Sequence, residues 1–273
     1  MSSGQKIIKN LALAFAFFLI FSIVSGIIYG LSVFTNIFKD KEDLKPLEEI
    51  KELAKTDASL LSIDLKATNL VIKVGDTFKA ETSNKYIETR QDKEKIYITE
   101  RNHNWFKEQP KLIVYIPNNM VLDGVQINGG AGKIEIEALQ TKILDLNLGA
   151  GKVDINNLQV LNKTVIEGGA GSVDIKNSVL NNLDLNMGVG KFSLDAKVLG
   201  NSNIEQGVGS MDLNLIGTSN NYQIYVDKGL GSVNIDGKNV KDDETFGNGI
   251  NKIDIDGGVG SITIDFIKEV KNN

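Results

Sequence analysis

The C-terminal half of the chain repeats a short pattern of glycines and alternating apolar residues. The pattern reads Gly-(Ala/Val/Leu)-Gly-(Lys/Ser)-apolar-x-apolar, and its first five copies start 19, 20, 19 and 19 residues apart. A fixed period near 20 residues indicates an array of stacked structural units. The first glycines of the copies are Gly130, Gly149, Gly169, Gly188, Gly207, Gly229 and Gly258, with a degenerate copy at Gly249.

Each unit predicts two short strands and two turns. After the second glycine, apolar and polar residues alternate, as in Val153 and Ile155, and a second alternating stretch follows, as in Leu183 and Leu185. Period-2 alternation is typical of a β-strand with one buried face. One coil cannot bury its apolar face alone, whereas stacked coils share a continuous core. The sequence therefore predicts an all-β fold, a parallel β-solenoid of about 20-residue Gly-x-Gly repeats.

Two other repeat architectures fit the pattern less well. A leucine-rich repeat has a similar period but needs Leu-x-x-Leu-x-Leu-x-x-Asn and a helical turn, which this repeat lacks. The stretch Gly168–Asp174 resembles a calcium-binding Gly-Gly-x-Gly-x-Asp repeat, but Asp174 comes one residue too late. A shift of one residue turns a strand side chain to the opposite face, so we expect no calcium site there.

Acidic residues recur on the predicted outer face of the repeats. In several units a lysine lies two residues before that position. One interpretation is a charge-balanced, solvated surface that prevents stray strand pairing. The other is an acidic stripe for a cation or a basic wall component, and we favour the first. The acids are Glu135, Asp154, Asp174, Asp212 and Asp254, and the lysines are Lys133, Lys152, Lys191 and Lys252.

The repeats occupy residues 129–267 and follow a non-repetitive β part at residues 58–128. In that part, pairs such as Ile96 and Ile98 alternate with polar residues and predict strands. The segment Asn102–Pro110 holds the only Trp and the only His of the chain. We expect it to be a loop that packs one aromatic side chain onto the fold, with ligand recognition by Trp105 as the alternative.

The N-terminal region predicts a membrane anchor. Residues 1–10 form a short tail, and Leu11–Phe34 is uncharged and spans about 36 Å as a helix, enough for a bilayer core of roughly 30 Å. The run is longer than a cleaved signal peptide, so we predict a signal anchor with the C-terminal domain outside the cytoplasm. Lysines are nearly balanced on the two sides of the run, which leaves a cytosolic domain as the alternative. Residues 35–57 read as a charged helical linker because Leu47, Ile50 and Leu53 recur at helical spacing, and residues 268–273 form a tail.

Composition narrows the chemistry. The chain has no Cys and one His, which excludes disulfides, thiolate metal sites and His-pair sites. A net charge of -5 gives no basic surface for nucleic acid. Arginine occurs only at Arg90 and Arg101, outside the repeats. We expect no cofactor, no metal and no catalytic residues. The expected partners are the membrane and either a cell-wall polymer or another membrane protein.

The strand end Val114–Pro117 and the G-x-G-K/S units together resemble the bacterial putative-adhesin family of β-strand-repeat domains, a domain of unknown function. The resemblance implies a cell-envelope role and brings no functional residues. The expected function is a membrane-anchored, non-enzymatic surface for binding. An accessory or sensor part of an envelope-stress response is one alternative. A polysaccharide-active β-helix enzyme is disfavoured because the acids form a regular column.

Overall fold

A computed structural model describes residues 49–52, 58–101, 110–240 and 244–268, and its regular structure there is β-strand with one short 3-10 helix. The predicted all-β class is confirmed. The elements are β1 Glu49–Glu52, β2 Leu60–Leu65, β3 Asn69–Gly75, β4 Lys79–Thr82, β5 Ile87–Asp92, β6 Lys95–Glu100, β7 Lys111–Pro117, β8 Leu122–Gly129, β9 Lys133–Ile136, β10 Leu139–Asn156, β11 Leu158–Asn181, β12 Leu183–Leu199, β13 Asn201–Ile216, η1 Ser219–Asn221, β14 Tyr222–Asp227, β15 Leu230–Ile235, β16 Lys238–Asn239, β17 Glu244–Gly247 and β18 Asn251–Ile267.

Each coil consists of a leg before the Gly-x-Gly turn and a leg after it. In β10 to β13 and β18 both legs belong to one long bent strand, whereas β2–β3, β8–β9 and β14–β15 supply the two legs as separate strands. Equivalent legs pair in parallel from coil to coil, which gives a first-leg sheet and a second-leg sheet. The predicted parallel coils with two strands each are therefore present.

The spatial order of the coils departs from the order in sequence at both ends. The first coil, β2–β3, lies between β6–β7 and β8–β9. The last coil, β18, lies between β13 and β14–β15. Antiparallel partners then cover the outermost coils: β5 and β4 at one end, β17 and β16 at the other. Both ends of the stack thus limit the exposed strand edge that another chain would pair with.

The core lies between the legs and is built from the alternating apolar residues of every coil. Leu146, Ile166 and Leu185 on the first legs and Ile155 and Ile175 on the second legs are at most 1% exposed. Each such side chain contributes about 1.5–3 kcal/mol relative to its exposed state. Because equivalent residues stack in register, the core continues through the whole array.

A buried carboxylate completes the turn at the N-terminal end of the stack. In the inner coils the turn amides donate to carbonyl oxygens of the preceding coil, as Ala150 N does to Gly130 O at 2.7 Å. For the β2–β3 coil, Glu100 takes that place. Its Oε2 accepts from the amides of Lys66, Ala67 and Thr68 at 2.7, 3.0 and 3.1 Å. Burial opposes its charge, but these hydrogen bonds outweigh burial and lower the pKa of Glu100.

The opposite corner of several coils is turned by asparagines. Asn157, Asn177 and Asn182 have φ values of 49°, 50° and 46°, in the left-handed region that asparagine tolerates better than most residues. The amide of Asn182 donates to the carbonyl of Asn162 at 2.7 Å. These side chains therefore link one coil to the next at a second corner.

Several predictions concern residues outside the described part of the chain. They are the tail at 1–10, the membrane helix at 11–34, most of the linker at 35–57, the loop residues 102–109 with Trp105, and residues 269–273 of the C-terminal tail. Among the residues with described structure, no helix has the length and apolar character to cross a membrane. The helical linker is wrong at Glu49–Glu52, which forms β1 and pairs antiparallel with β4. Hydrogen bonding to that sheet edge outweighs the helical spacing of its residues.

Candidate functional site

Two columns of glycine form the corner between the legs. A Cβ on Gly171 would lie 1.9 Å from the carbonyl oxygen of Gly151, and one on Gly190 would lie 1.9 Å from that of Gly171. Both residues also have φ near +145°, a backbone conformation that only glycine adopts readily. The repeated glycines are thus required by the close approach of successive coils.

A column of polar side chains runs beside this corner, one from each first leg. We call it the polar column. Its members occupy the position two residues before the first glycine, on the outer face, and strand pairing places them side by side. In spatial order they are Asp64, Asn128, Asn147, Glu167, Asn186, Glu205, Asp256 and Asp227.

A second column occupies the middle of each Gly-x-Gly turn. We call it the turn column. Its residues grow in size along the stack, from alanine through valine to leucine. In spatial order they are Ala131, Ala150, Ala170, Val189, Val208, Val259 and Leu230.

An open groove of about 850 Å³ follows the corner in the N-terminal half of the stack. It spans the coils in which the turn column is alanine, and it ends at Asn186, beside the first valine, Val189. Its polar lining comes mainly from the polar column and its floor mainly from the first glycines. The polar and charged residues of its lining are Asp64, Asn128, Asn147, Glu167, Asn186 and Lys66.

Hydrogen bonds between coils orient the amides of the groove. The amide nitrogen of Asn147 donates to Asn128 Oδ1 at 3.1 Å and to Asp145 Oδ1 at 2.8 Å. Gln126 donates to the other oxygen of Asp145 at 3.2 Å. An amide offers both donors and an acceptor. At the spacing of the coils, about 4.8 Å, the groove therefore presents the amides of Asn128, Asn147 and Asn186 and the carboxylates of Asp64 and Glu167.

The C-terminal half of the same corner has different chemistry. There the polar column consists of the carboxylates Glu205, Asp256 and Asp227, and Asp254 lies two residues before Asp256 on the same face. Within the described ranges, no lysine or arginine nitrogen lies within 4.0 Å of these carboxylates. The adjoining Leu230 is 78% exposed and Val259 is 44% exposed. An acidic strip therefore borders an exposed apolar one.

The outer face of the second-leg sheet carries acids that are neutralised. Lys152 Nζ lies 2.9 Å from Asp154, and Lys191 Nζ lies 3.2 Å from Asp212. A hydrogen bond to Asp174 raises the pKa of Lys176. Glu135, Asp154, Asp174 and Asp212 do form the predicted column. The charge-balanced interpretation is the one that this pairing supports.

One acid of the predicted column and the lysine two residues before it lie elsewhere. Asp254 and Lys252 lie on the first-leg sheet, paired with Asn203 and Asn201 of β13. Thr263 takes the expected place of Asp254, opposite Asp212. The degenerate copy at Gly249 is the cause, because it precedes a first leg and is not a Gly-x-Gly turn.

The groove lacks a close pair of catalytic carboxylates. Asp64 and Glu167 are its acids, and three strand spacings of about 4.8 Å put their strands roughly 14 Å apart. Glycoside hydrolysis uses carboxyl groups about 5–9.5 Å apart. Across the described residues, no three or more His, Cys, Asp or Glu side chains cluster in a way that would hold a metal ion.

Sequence reasoning missed the polar column and the groove. The signal was present, because Asn, Asp or Glu precedes the first glycine by two residues in every Gly-x-Gly copy. The concavity was not readable, since it depends on which turns carry alanine and on how the coils stack.

These features define a class, a β-solenoid whose coils stack through a glycine corner. The chain belongs to the Toastrack DUF4097 family, a family of unknown function, whose profile matches residues 58–265. This agrees with the family resemblance inferred from the repeats. No curated protein matches the sequence.

Two solved structures are similar over most of their length. One is a putative cell adhesion protein from Clostridium sporogenes ATCC 15579, with 17% identity and a TM-score of 0.38, covering 82% of this chain and 100% of that chain. The other is a putative adhesin from Bacteroides fragilis NCTC 9343, with 13% identity and a TM-score of 0.42, covering 81% of this chain and 99% of that chain.

Proposed function

We propose that the chain is a non-enzymatic cell-envelope protein, anchored by one N-terminal membrane helix, whose solenoid binds a cell-wall polymer in the corner groove. The observation that carries the proposal is the groove itself, about 850 Å³ and lined coil after coil by in-register polar side chains. A regularly spaced row of three amides and two carboxylates supplies donors and acceptors that suit a hydrophilic polymer repeating along the solenoid axis.

The spacing favours a polymer other than an extended peptide. Coils repeat every 4.8 Å or so, whereas an extended peptide repeats every two residues, about 6.7 Å, so its side chains would fall out of register within two coils. The wide separation of the groove acids supports binding without cleavage. The uncharged stretch Leu11–Phe34 supports the anchor, which would hold the solenoid near the envelope.

Co-sedimentation of the full-length chain with isolated cell walls tests the proposal, with phospholipid vesicles as the comparison. We expect saturable wall binding that falls only in part at high salt, because three of the six polar groove side chains are neutral amides and three are charged. Binding to vesicles alone, with none to walls, would contradict the groove assignment and favour a membrane-protein partner.

Groove variants locate the binding. Replacement of Asn147 and Glu167 by alanine should weaken wall binding about tenfold, since each side chain lost removes hydrogen bonds to the polymer. The matched control is Ser193→Ala with Asp212→Asn on the second-leg face, which should bind as the wild type does. A thermal melt of each variant checks that the fold is intact.

A further inference from the structure

We propose that the C-terminal half of the glycine corner is a second docking surface, which accepts a basic amphipathic helix of a partner protein. This surface comprises Val208, Val259 and Leu230 of the turn column, with Glu205, Asp256 and Asp227 of the polar column. It does not overlap the groove, whose lining ends at Asn186.

The apolar strip of this surface is exposed. Leu230 is 78% and Val259 is 44% exposed, and Val208 is half-buried. In the other half of the corner the same position is alanine. Large apolar side chains exposed on a regular column favour an interaction site, because such contiguous surface is uncommon on a protein without a partner.

The charge of the acidic strip is complementary to a partner that carries lysine or arginine side chains. Glu205, Asp256 and Asp227 lie on neighbouring strands in register, so their carboxylates repel one another. The acids of the second-leg face, by contrast, have lysine partners, as Asp154 has in Lys152. Lysine or arginine from a partner would neutralise the acidic strip in the same way. Anionic polymers and anionic lipid surfaces would be repelled.

The dimensions of the two strips select a helix. Each acid precedes a turn-column residue by three positions along the chain, so the strips are at most about 10 Å apart, which is close to the width of a helix with its side chains. One helical turn rises about 5.4 Å and one coil about 4.8 Å. A helix lying along the solenoid axis therefore presents roughly one basic and one apolar side chain to each coil.

A synthetic peptide tests the surface directly. The probe is a labelled helical peptide of about 16 residues with adjacent stripes of leucine and lysine. It is titrated with the full-length chain, and binding is followed by fluorescence anisotropy. A titration with the solubilising medium alone is the blank. We expect it to bind at least tenfold more tightly than a peptide of the same composition in scrambled order. Equal binding of the two would overturn the proposal, because only non-specific charge attraction would then be at work.

Variants of exposed residues assign the two strips. Leu230→Ser should weaken the helical peptide about tenfold, and Asp227→Asn with Asp256→Asn should weaken it similarly and reduce its salt dependence. Ile250→Ser, at an 88% exposed residue outside the surface, and Asp154→Asn on the second-leg face are the matched controls. Wild-type affinity in both test variants would contradict the proposal. Leu230→Ser leaves wall binding unchanged, so failure here is separate from failure of the groove.

Discussion

The two halves of the glycine corner share one backbone and differ in the side chains that they present. Gly171 in the N-terminal half and Gly209 in the C-terminal half both press against the preceding coil, within 1.9 Å of a carbonyl oxygen if a Cβ were added. Outside that shared frame, amides, two carboxylates and glycines line a groove in one half, and acids and larger apolar residues form a strip in the other. A solenoid thus separates the residues that stack the coils from those that distinguish one surface from another.

Loss of glycine should have the largest effect, and the same effect in both halves. Gly171→Ala and Gly209→Ala each force a Cβ into a carbonyl oxygen and hold alanine at φ near +145°. We expect each to lower the free energy of unfolding by more than about 3 kcal/mol, and Gly171→Val by more still. Urea unfolding followed by circular dichroism measures the loss.

Gly237→Ala is the control for a positive φ without a contact between coils, although its φ lies in the left-handed region and not near +145°. Gly237 has φ of +75°, yet a Cβ there meets nothing within 4 Å. Its cost should be about 1–2 kcal/mol, the usual penalty for alanine in the left-handed region. A loss as large as that of Gly171→Ala would mean that conformation, and not the contact between coils, explains the glycine columns.

The next largest loss of stability should come from the turn at the N-terminal end of the stack, which differs from the turns of the interior. Glu100→Gln removes the charge of the carboxylate that accepts hydrogen bonds from three turn amides in the β2–β3 coil. In the inner coils, backbone carbonyl oxygens accept the hydrogen bonds of the turn amides. Hydrogen bonds to a charged acceptor are worth about 1.5–3 kcal/mol, so we expect a loss of about 2 kcal/mol at neutral pH.

The acid dependence of stability has a defined sign. The pKa of Glu100 is lowered on folding from its ordinary value of 4.5, so its contribution is complete above that pH and is lost as pH falls through the lower folded-state pKa. Glu100→Gln should therefore flatten the fall in stability below pH 4.5. Parallel curves for the wild type and the variant would contradict the role given to this carboxylate.

Exchange of side chains between the halves should alter binding more than folding. Asn186→Asp gives the groove a carboxylate of the kind found in the other half and places it beside Glu167. We expect weaker wall sedimentation, by several-fold, and a stability change under about 1 kcal/mol, since Asn186 is exposed. The reverse exchange, Asp227→Asn, should leave wall sedimentation unchanged, and a shared effect would erase the distinction between the halves.

The smallest effect should come from the second-leg face. Lys152→Gln removes an ion pair with Asp154 at 2.9 Å, but the lysine side chain is 58% exposed. Such surface pairs contribute about 0–1 kcal/mol and are screened by salt. A larger loss, insensitive to salt in a urea titration, would show that this face does more than balance charge.

The repeat could be predicted from the sequence because each determinant is local. Glycine spacing and the alternation around Val153 and Ile155 specify a coil without reference to distant residues. The same reasoning placed Asp254 on the wrong leg, because Gly249 mimics a turn. The face to which a strand residue points is hard to predict from alternation alone once a β-bulge shifts the register, as one does between Thr141 and Ile143.

The order of the end coils and the buried Glu100 network could not be predicted. Insertion of β18 between β13 and β14–β15 is a long-range choice that no local pattern encodes. Glu100 accepts from residues 66–68, which precede it by more than thirty positions. Only the stacked structure brings a carboxylate to the turn that needs an acceptor.

The measurement that tests the groove most directly uses the absence of cysteine in this chain. A single cysteine placed at Asn147 in the groove, or at Asp154 on the second-leg face, is alkylated with a maleimide in the presence and absence of soluble cell-wall fragments. We predict that the fragments slow alkylation at position 147 several-fold and leave position 154 unaffected. Equal rates at position 147 with and without saturating fragments would contradict the assignment of the groove as the binding site.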